Sequence, residues 1–417
     1  MFTGDGSMRS LRVAIYIAVL ASSVPAEVSA WAQQAPSADV MIRKQDHNND
    51  GRISRKEWRG PSANFDRIDR NGDGYLSRSE LQGRGQAGSA VKSTSAQSFI
   101  DVHVHIFPDI NTTLEQRLAM NFDNAADRAI RHMDRNKVQT SIVMVTPSVT
   151  DLFDSEVLFA QAARYPGRFA VLGGGGTLNP VIHHTEPAEV TKEVKQKFEV
   201  QAQNLLSAGA IGFGEIAALH FSYSRNHPFE EVQPDHPLIL LLSDIAARNG
   251  VPIDLHCDIA PDDMAVPAKL IRIGTNNPAS VHANLAGLER LLDHNPRAQI
   301  ILSHSTDATG FRTADTIRGL FERHPNMYMS LNVFPDYVFP ENLPLTLDGE
   351  IAADWQRLIK DYPDRFLIGS DQRYFDPCPT CRMPDRVGPS RKWLDLLPPD
   401  IARKIALENP RRLFSLD

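Results

Sequence analysis

The stretch FIDVHVHIFP, residues 99–108, has the composition of a buried strand but carries two histidines among its apolar residues. Side chains in a strand alternate between two faces, so the pattern predicts that His103 and His105 share one face with Asp101. Packing alone would favour Val or Leu at such positions. The row is therefore either a set of hydrogen-bonded core residues or the first part of a metal site.

From this stretch to the end of the chain, short apolar runs alternate with longer amphipathic segments. Eight runs are typical of buried strands, namely FIDVHVHI (99–106), TSIVMVTP (140–147), FAVLGGGG (169–176), GAIGFGEIA (209–217), VPIDLHCD (251–258), QIILSHS (299–305), MYMSLNV (327–333) and RFLIGSD (365–371). Between them lie helix-like segments such as LILLLSDIAARNG, for which Gly250 is a stop signal. Eight strands alternating with helices over about 320 residues predict a (β/α)8 TIM barrel, an α/β fold. A doubly wound open sheet is the competing topology, but no G-x-G-x-x-G follows the first strand.

Ionisable residues stand at the carboxyl ends of these runs, where the active sites of TIM barrels lie. The set comprises His103, His105, Glu215, His256, His304 and Asp371. Ionisable groups that are buried at converging strand ends are costly unless they are paired or coordinated. Neutral imidazoles and carboxylates are the ligands that Zn²⁺ and similar divalent ions take. The sequence therefore predicts a divalent metal site at this end of the barrel.

Several of these motifs together resemble a known family. The H-x-H of residues 103–105, His256, the SHS of 303–305, the GSD of 369–371 and the ENPRRLF of 408–414 are similar to motifs of the amidohydrolase superfamily. Within that superfamily, the chain most resembles the amidohydrolase 2 group of metal-dependent TIM-barrel hydrolases and decarboxylases. The resemblance covers residues 98–417 and is specific for the superfamily rather than for a substrate.

The resemblance implies roles for the six residues. His103, His105, His256 and Asp371 would hold the metal, which is expected to be one or two zinc ions. Asp371 would also act as general base to the metal-bound water, and His304 would bind a second metal or polarise the substrate. Glu215 departs from the carboxylated lysine of many hydrolases. It would either bridge two metals or lie outside the ligand set.

Residues 39–82 have a different composition, rich in Asp, Asn and Gly. Two stretches, DHNNDGRISRKE (46–57) and DRNGDGYLSRSE (69–80), match the twelve-residue calcium loop of an EF-hand. The ligand positions are Asp46, Asn48, Asp50, Arg52, Ser54 and Glu57 in the first loop, and Asp69, Asn71, Asp73, Tyr75, Ser77 and Glu80 in the second. Arg52 and Tyr75 would contribute backbone carbonyls. Ile53 and Leu76 are predicted to pair as a short β-bridge, and the EF-hand pair is expected to bind calcium in a structural or docking role.

The N-terminus predicts export. Arg9 and Arg12 precede the short apolar core VAIYIAVLA (13–21), and Val28-Ser29-Ala30 has the character of a cleavage site, so residues 1–30 are predicted to be a signal peptide. The expected location is periplasmic or secreted, with no stable membrane span after cleavage. Residues 83–97 are small and polar and predict a linker before the barrel of residues 98–417.

Charge and cysteine content exclude other classes. The net charge is -7 and there is no long Lys/Arg run, so nucleic acid is not an expected partner. The chain has 3 cysteines, too few for a disulfide scaffold. Cys378 and Cys381 would form a local disulfide or remain thiols, and Cys257 is expected in the core. Whether the chain forms a homo-oligomer is left open.

The predicted function is that of an exported metal-dependent hydrolase that uses an activated water on a C–O or C–N bond of a small carbonyl substrate. A non-oxidative decarboxylase is the alternative, because the same group contains both. A third reading is a calcium-dependent surface protein with an inactive barrel. Polar residues follow the fourth and eighth runs. They would either bind a carboxylate-bearing substrate or form solvated surface. The residues are His220, Tyr223, Arg225, His227, Arg373, Arg382, Arg386 and Arg391.

Overall fold

The chain divides into two compact units, Met1–Ser93 and Thr94–Asp417. The computed structural model describes residues 38–47, 51–60, 64–65, 68–69, 74–81, 97–108, 113–147, 154–224, 227–304, 308–333, 339, 342–346, 349–376 and 384–416. The predicted signal peptide and almost all of the predicted linker lie outside the described residues, and so do Cys378, Cys381, Arg225 and Arg382.

The first unit contains a two-stranded antiparallel sheet between short helices. Its helices are Ala38–Gln45 and Arg78–Leu81, and its strands are Ile53–Ser54 and Tyr75–Leu76. Ile53 pairs with Leu76, which confirms the predicted β-bridge. Both side chains are buried with Ile42 and Phe65, so the pairing of the strands also forms the small apolar core of this unit.

The second unit is a parallel β-barrel. Its strands are β1 (Phe99–Ile106), β2 (Val138–Met144), β3 (Phe169–Val171), β4 (Gly173–Gly174), β5 (Phe213–His220), β6 (Pro252–Cys257), β7 (Gln299–Leu302), β8 (Met327–Leu331) and β9 (Phe366–Ile368). They are hydrogen-bonded in the order β3-β2-β1-β9-β8-β7-β6-β5-β4, and each of these neighbouring pairs is parallel. The TIM-barrel prediction is confirmed.

The two ends of this sheet meet at a single residue. β3 and β4 are pieces of the predicted third strand, separated only by Leu172. The N–H of Leu172 donates to the carbonyl of Val143 at 3.0 Å, on the β2 side. The N–H of Gly173 donates to the carbonyl of Gly212 at 3.1 Å, just before β5. The sheet therefore closes through a strand whose halves face different neighbours.

Helices surround the barrel, and each of them except Leu114–Leu118 has buried residues. They are Leu114–Leu118, Phe122–Asn136, Glu156–Arg164, Leu178–His183, Lys192–Ser207, Pro237–Asn249, Ala268–Ile273, Leu285–His294, Ala314–Arg323, Ala353–Asp361, Val387–Leu394, Pro399–Arg403 and Asn409–Phe414, with 3₁₀ turns at Pro187–Glu189 and Pro363–Arg365 and a π-helical turn at Lys404–Glu408. Helix Pro237–Asn249 ends at Gly250 with φ 66°, as predicted, because glycine adopts this left-handed conformation without steric cost. Among the described residues, no helix has the length and apolar composition needed to cross a bilayer.

Two differences from the predicted runs affect the site, one at the end of β5 and one after β9. β5 begins at Phe213 and continues to His220, because the short strand Glu230–Glu231 pairs with its end. His220 is therefore on a strand rather than in the following loop. After β9 the chain turns at Asp371 and re-enters the sheet as β10 (Gln372–Tyr374), beside the end of β1. A further hairpin pairs Met264–Ala265 with Ser280–Val281.

The predicted alternation along β1 breaks at a bulge. The register with β2 shifts between Asp101 and Val104. Ile100 and Val102 pack in one apolar cluster, whereas Val104 and Ile106 pack in the other, so the face that points outward changes across this segment. The prediction that Asp101 lies on the face of both histidines is therefore wrong. An extra residue in a strand inverts the simple period of two.

Candidate functional site

The two histidines of β1 present their Nε2 atoms to the same buried space. These two atoms lie 3.1 Å apart. On the opposite side of each ring, Nδ1 of His103 is 3.2 Å from Oδ2 of Asp254, and Nδ1 of His105 donates to the carbonyl of Met144 at 3.2 Å. Because Nδ1 of each ring faces an acceptor, Nε2 is the nitrogen that a metal ion would bind.

Glu215 stands between two pairs of histidines. Its Oε2 is 3.5 Å from Nε2 of His103 and 3.4 Å from Nε2 of His105. Its Oε1 is 2.6 Å from Nδ1 of His256 and 3.9 Å from Nε2 of His304. Two groups with donor atoms within 4.8 Å result, one made by Glu215 with the β1 pair and one made by Glu215 with His256 and His304. This central position is the one that a bridging carboxylate requires.

Asp371 faces the same space with one oxygen. Its Oδ1 is 3.3 Å from Nε2 of His105, is buried and has no hydrogen-bond partner. Its Oδ2 is bound by Nη1 of Arg386, and Nε of Arg373 is 3.6 Å from Oδ1. Burial would raise the pKa of Asp371, but the charges of Arg386 and Arg373 outweigh burial and hold this pKa well below its usual range.

Two of these residues have unusual backbone conformations. His304 has φ 29° and Asp371 has φ 54°. Side-chain-bearing residues adopt positive φ rarely, with Asn, Asp and His enriched among the exceptions. Such conformations concentrate at functional sites, where the surrounding structure holds them in place. No local pattern in the sequence marks either turn.

The pKa values of these histidines shift in opposite directions, because the rings have different carboxylate neighbours. Burial lowers the pKa of a histidine, but Asp254 and Glu215 outweigh it for His103, whose pKa lies well above the usual value. Asp258 and Glu215 likewise raise the pKa of His256 to about 9. For His304, burial dominates and the pKa lies well below the usual value. The carboxylates therefore draw positive charge into a buried site.

The donor set fits a divalent cation. Four imidazoles and two carboxylates converge, and all six residues are at most 6% exposed. Oδ1 of Asp371 and Nε2 of His256 are buried polar atoms without a hydrogen-bond partner, which is costly in the absence of a ligand. Mixed imidazole and carboxylate donors suit Zn²⁺, Mn²⁺ and Fe²⁺ rather than Ca²⁺.

Asp254 was missed in the sequence reasoning, although the signal was present. It precedes His256 by two residues in an apolar strand, as Asp101 precedes His103. Its side chain is fully buried, and its Oδ1 also accepts a hydrogen bond from the hydroxyl of Ser303 at 2.5 Å. Asp254 thus orients the ring of His103.

Asp101 instead connects β1 to the loop after β9. Its two oxygens accept hydrogen bonds from the backbone N–H of Ser370 at 2.8 Å and from the hydroxyl of Ser370 at 2.5 Å. Burial raises the pKa of Asp101 to about 6, and these hydrogen bonds oppose the rise. Asp101 therefore fixes the turn that presents Asp371.

Arg312 was also missed, and no sequence pattern predicts its role. Its side chain is fully buried. Nη1 donates to the carbonyls of Ser303, at 2.8 Å, and His304, and Nη2 donates to the carbonyl of Cys257. The guanidinium therefore joins the ends of β6 and β7, the strands that carry His256 and precede His304.

The polar residues predicted around the mouth have different environments. His220 and His227 are buried, with ring centroids 4.7 Å apart, and the ring of His220 lies 4.4 Å from that of His256. Arg391 forms an ion pair with Asp395 at 2.8 Å on its own helix. Cys257 is buried in the core, as expected, and burial raises its pKa to about 12.

The structure describes the ends of the two loops in the first unit that the sequence predicts to be calcium sites. Gly51 has φ 85° and donates its N–H to Oδ2 of Asp46 at 2.8 Å; Gly74 has φ 83° and donates to Oδ2 of Asp69 at 3.0 Å. In the first loop, Glu57 accepts hydrogen bonds from the N–H of His47 at 3.0 Å and the N–H of Ser54 at 2.8 Å.

Only part of the predicted calcium ligand set is described. Of the predicted ligands, Asn48, Asp50, Asn71 and Asp73 and the side chain of Glu80 lie outside the described residues. The first and last acidic residues of the first loop are Asp46 and Glu57. The carboxylate of each accepts hydrogen bonds from backbone N–H groups of the loop.

Several solved structures align with most of this chain at low sequence identity. A dihydroxybenzoic acid decarboxylase from a Polaromonas species, with bound manganese and 2-nitroresorcinol, is 16% identical with a TM-score of 0.46, over 77% of this chain and 97% of that chain. A 2,6-dihydroxybenzoate decarboxylase complexed with 2,6-dihydroxybenzoate is 16% identical with a TM-score of 0.45, over 77% and 99%. A probable 2-pyrone-4,6-dicarboxylic acid hydrolase from Acinetobacter baumannii, with citric acid bound, is 13% identical with a TM-score of 0.46, over 76% and 100%.

Family models give the firmer result. No curated protein matches the chain. The EF hand model matches residues 39–60 and 64–83. The amidohydrolase model matches residues 100–416, which is more than half of the chain and includes all six residues of the buried donor set. On this match, the chain belongs to the amidohydrolase family.

Proposed function

We propose that the barrel is a metal-dependent hydrolase that acts on a C–O or C–N bond of a small carbonyl compound. The observation that carries the proposal is the position of Glu215 between two pairs of buried histidines, with donor atoms within 4.8 Å. A bound divalent ion in this position supplies a Lewis acid and lowers the pKa of bound water towards about 7. We expect zinc, with one or two ions.

The protein side chains contribute orientation and proton transfer. Asp254 and the carbonyl of Met144 fix the rings of His103 and His105, so the ligand atoms need little rearrangement. His304, held neutral by burial, is suited to orient or polarise the carbonyl of the substrate. Asp371 is within reach of the same space and is the general base of this proposal.

A non-oxidative decarboxylase is the second candidate, and one contact favours it. Oδ2 of Asp371 is already engaged by Arg386, so only Oδ1 is left for a ligand or for a proton. Hydrolysis needs a base for water, whereas loss of CO₂ from a carboxylate does not. In this alternative, Arg373 and the metal would hold the anionic substrate, and a neighbouring acid would protonate the carbanion.

One experiment separates these reactions. The purified protein is assayed for bound metals and then incubated with esters, amides, lactones and hydroxylated aromatic carboxylates in ¹⁸O-labelled water. Incorporation of the label into a product acid supports the hydrolase, and CO₂ release without incorporation supports the decarboxylase. His105→Ala is expected to lose the metal and the activity, whereas the exposed control His294→Ala keeps both. A barrel that binds no metal and turns over no substrate contradicts both candidates and favours the surface-protein reading.

We further propose that the protein is exported and that its first unit binds calcium. The support for export is the signal-like composition of residues 1–30, and the support for calcium is the pair of acidic loops with closed glycine turns. Export is tested by cell fractionation and N-terminal sequencing of the mature protein. Calcium titration should show two sites, one lost in Glu57→Gln and one in Glu80→Gln, with the exposed control Glu115→Gln unchanged.

A further inference from the structure

A cleft of about 590 Å³ lies on the barrel unit; none of the six donor residues lines it, but Arg373, whose Nε is 3.6 Å from Oδ1 of Asp371, does. Strand β10 and Phe375 form one part of its lining, and helix Phe122–Asn136 forms another. The helix contributes basic side chains at a spacing of three and four residues, which places them on one face. They are Arg128, Arg131, His132 and Arg135, and Arg373 also lines the cleft.

The acidic residues near this cleft are already engaged. Asp376 is bound by Arg128, and Asp385, which lines the cleft, is 3.1 Å from Nε2 of His132. Nδ1 of that histidine is in turn 2.8 Å from the hydroxyl of Tyr374. A fixed chain from Tyr374 through His132 to Asp385 therefore uses the carboxylate that would otherwise neutralise the arginines.

The acidic residues on the helix itself are engaged on its other sides. Asp127 is bound by Arg164 at 2.9 Å, and Asp134 is bound by Arg168 at 2.7 Å. Arg131 and Arg135 are exposed and make no ion pair with any carboxylate that the structure describes. The charge of Arg131 also acts on Asp127, but neither guanidinium group is paired with a carboxylate in this cleft of a chain whose net charge is -7.

We propose that this cleft is a binding site for a small, doubly charged oxyanion, a ligand that carries phosphate or carboxylate groups. Guanidinium groups match such oxyanions because they present paired donors in a fixed plane. Like charges one helical turn apart repel each other, and an anion between Arg131 and Arg135 removes that repulsion. The volume suits a small molecule rather than an extended polymer.

The site is tested with the full chain loaded with calcium and the barrel metal. Inorganic phosphate and succinate are titrated separately by calorimetry at low ionic strength, because screening weakens the attraction. At least one of the two anions is expected to bind at a single site. In the double variant R131A/R135A, its affinity should fall by about tenfold or more, as expected when two charge-assisted contacts are lost.

Two matched variants test whether the binding belongs to this cleft. The exposed pair R272A/R297A removes the same charge elsewhere on the barrel unit and should leave the affinity unchanged. His105→Ala removes a ligand from the buried donor set and should also leave it unchanged, which separates this cleft from anion binding at the metal. Binding of neither anion, equal binding in R131A/R135A, or loss of binding in His105→Ala overturns the proposal. Phosphate binding and succinate binding distinguish the two kinds of ligand.

Discussion

Asp254 accepts a hydrogen bond from Nδ1 of His103 at 3.2 Å, from a strand that is 151 residues away in sequence. The contact fixes which nitrogen of the ring faces the buried donor set. Asp254→Asn removes the negative charge that stabilises this orientation. We expect the affinity of the barrel for its metal to fall by about tenfold to a hundredfold, with the fold retained. Metal content after dialysis against a graded chelator measures this. Equal affinity in Asp254→Asn and in the exposed control Asp400→Asn would contradict the role.

Arg386 sets the proton affinity of Asp371. Its guanidinium binds Oδ2 of Asp371 and keeps the pKa of that carboxyl well below its usual range. In Arg386→Gln the pKa of Asp371 rises, so the acid limb of the pH profile of kcat/KM should move to higher pH. Arg386→Lys should restore part of the shift, because it returns the charge without the paired donors. An unchanged acid limb in Arg386→Gln, with Arg411→Gln as the control, would show that Asp371 does not control the reaction.

Glu230 makes stability depend on pH. Burial raises its pKa from 4.5 to about 7, and neither of its oxygens has a hydrogen-bond partner. Between these two values the folded state binds more protons than the unfolded state, so stability falls as pH rises and stays reduced above about 7. The loss is about 3 kcal/mol at pH 8.

Glu230→Gln removes the ionisable group and should therefore raise the melting temperature of the barrel at pH 8. Near pH 4.5 the difference from the natural chain should be small. Calorimetric scans at both pH values measure the effect, with the exposed Glu322→Gln as a control that changes neither temperature. A Gln variant that melts lower at both pH values would show that the carboxylate is stabilising instead.

Arg312 is expected to contribute strongly to stability. Its buried guanidinium donates to three backbone carbonyls at the ends of β6 and β7. Arg312→Met fills a similar volume but leaves these carbonyls without a donor, which costs on the order of 3 kcal/mol or more. We expect a lower melting temperature for the barrel in calorimetry, and weaker metal binding because the carbonyl of His304 loses its partner. An unchanged melting temperature would contradict this account.

The repeating pattern of the chain is enough to predict the barrel. Apolar runs separated by amphipathic segments specify strands and helices locally, and the six donor residues follow because parallel strands carry them to one end. The Gly250 stop is local to one helix end, and the pairing of Ile53 with Leu76 follows from the repeat of one loop motif. These are the features for which neighbouring residues decide the conformation.

The remaining features depend on contacts between distant segments. The bulge in β1, which places Asp101 on a different face from the histidines, arises from the register with β2. The sequence FIDVHVHI contains no pattern that predicts it. His220 lies on a strand because Glu230–Glu231 pairs with it. The engagement of Arg386 with Asp371 and of Arg312 with three carbonyls requires the closed barrel. The residues next to a side chain in the sequence do not reveal its partner in a distant segment of the fold.

The left-handed backbone at Asp371 also limits which chemistry this position can host. With φ 54°, the turn is tolerated mainly by Gly, Asn and Asp. Of these three, only Asp is an anionic donor, so a longer carboxylate such as Glu would have to strain the chain to take its place. His304, with φ 29°, is also of a residue type enriched in this conformation. The backbone conformation of each turn therefore limits which amino acids can stand there, independently of catalysis. If a new activity evolves in this barrel, we expect the surrounding loops to change and these two residues to stay the same.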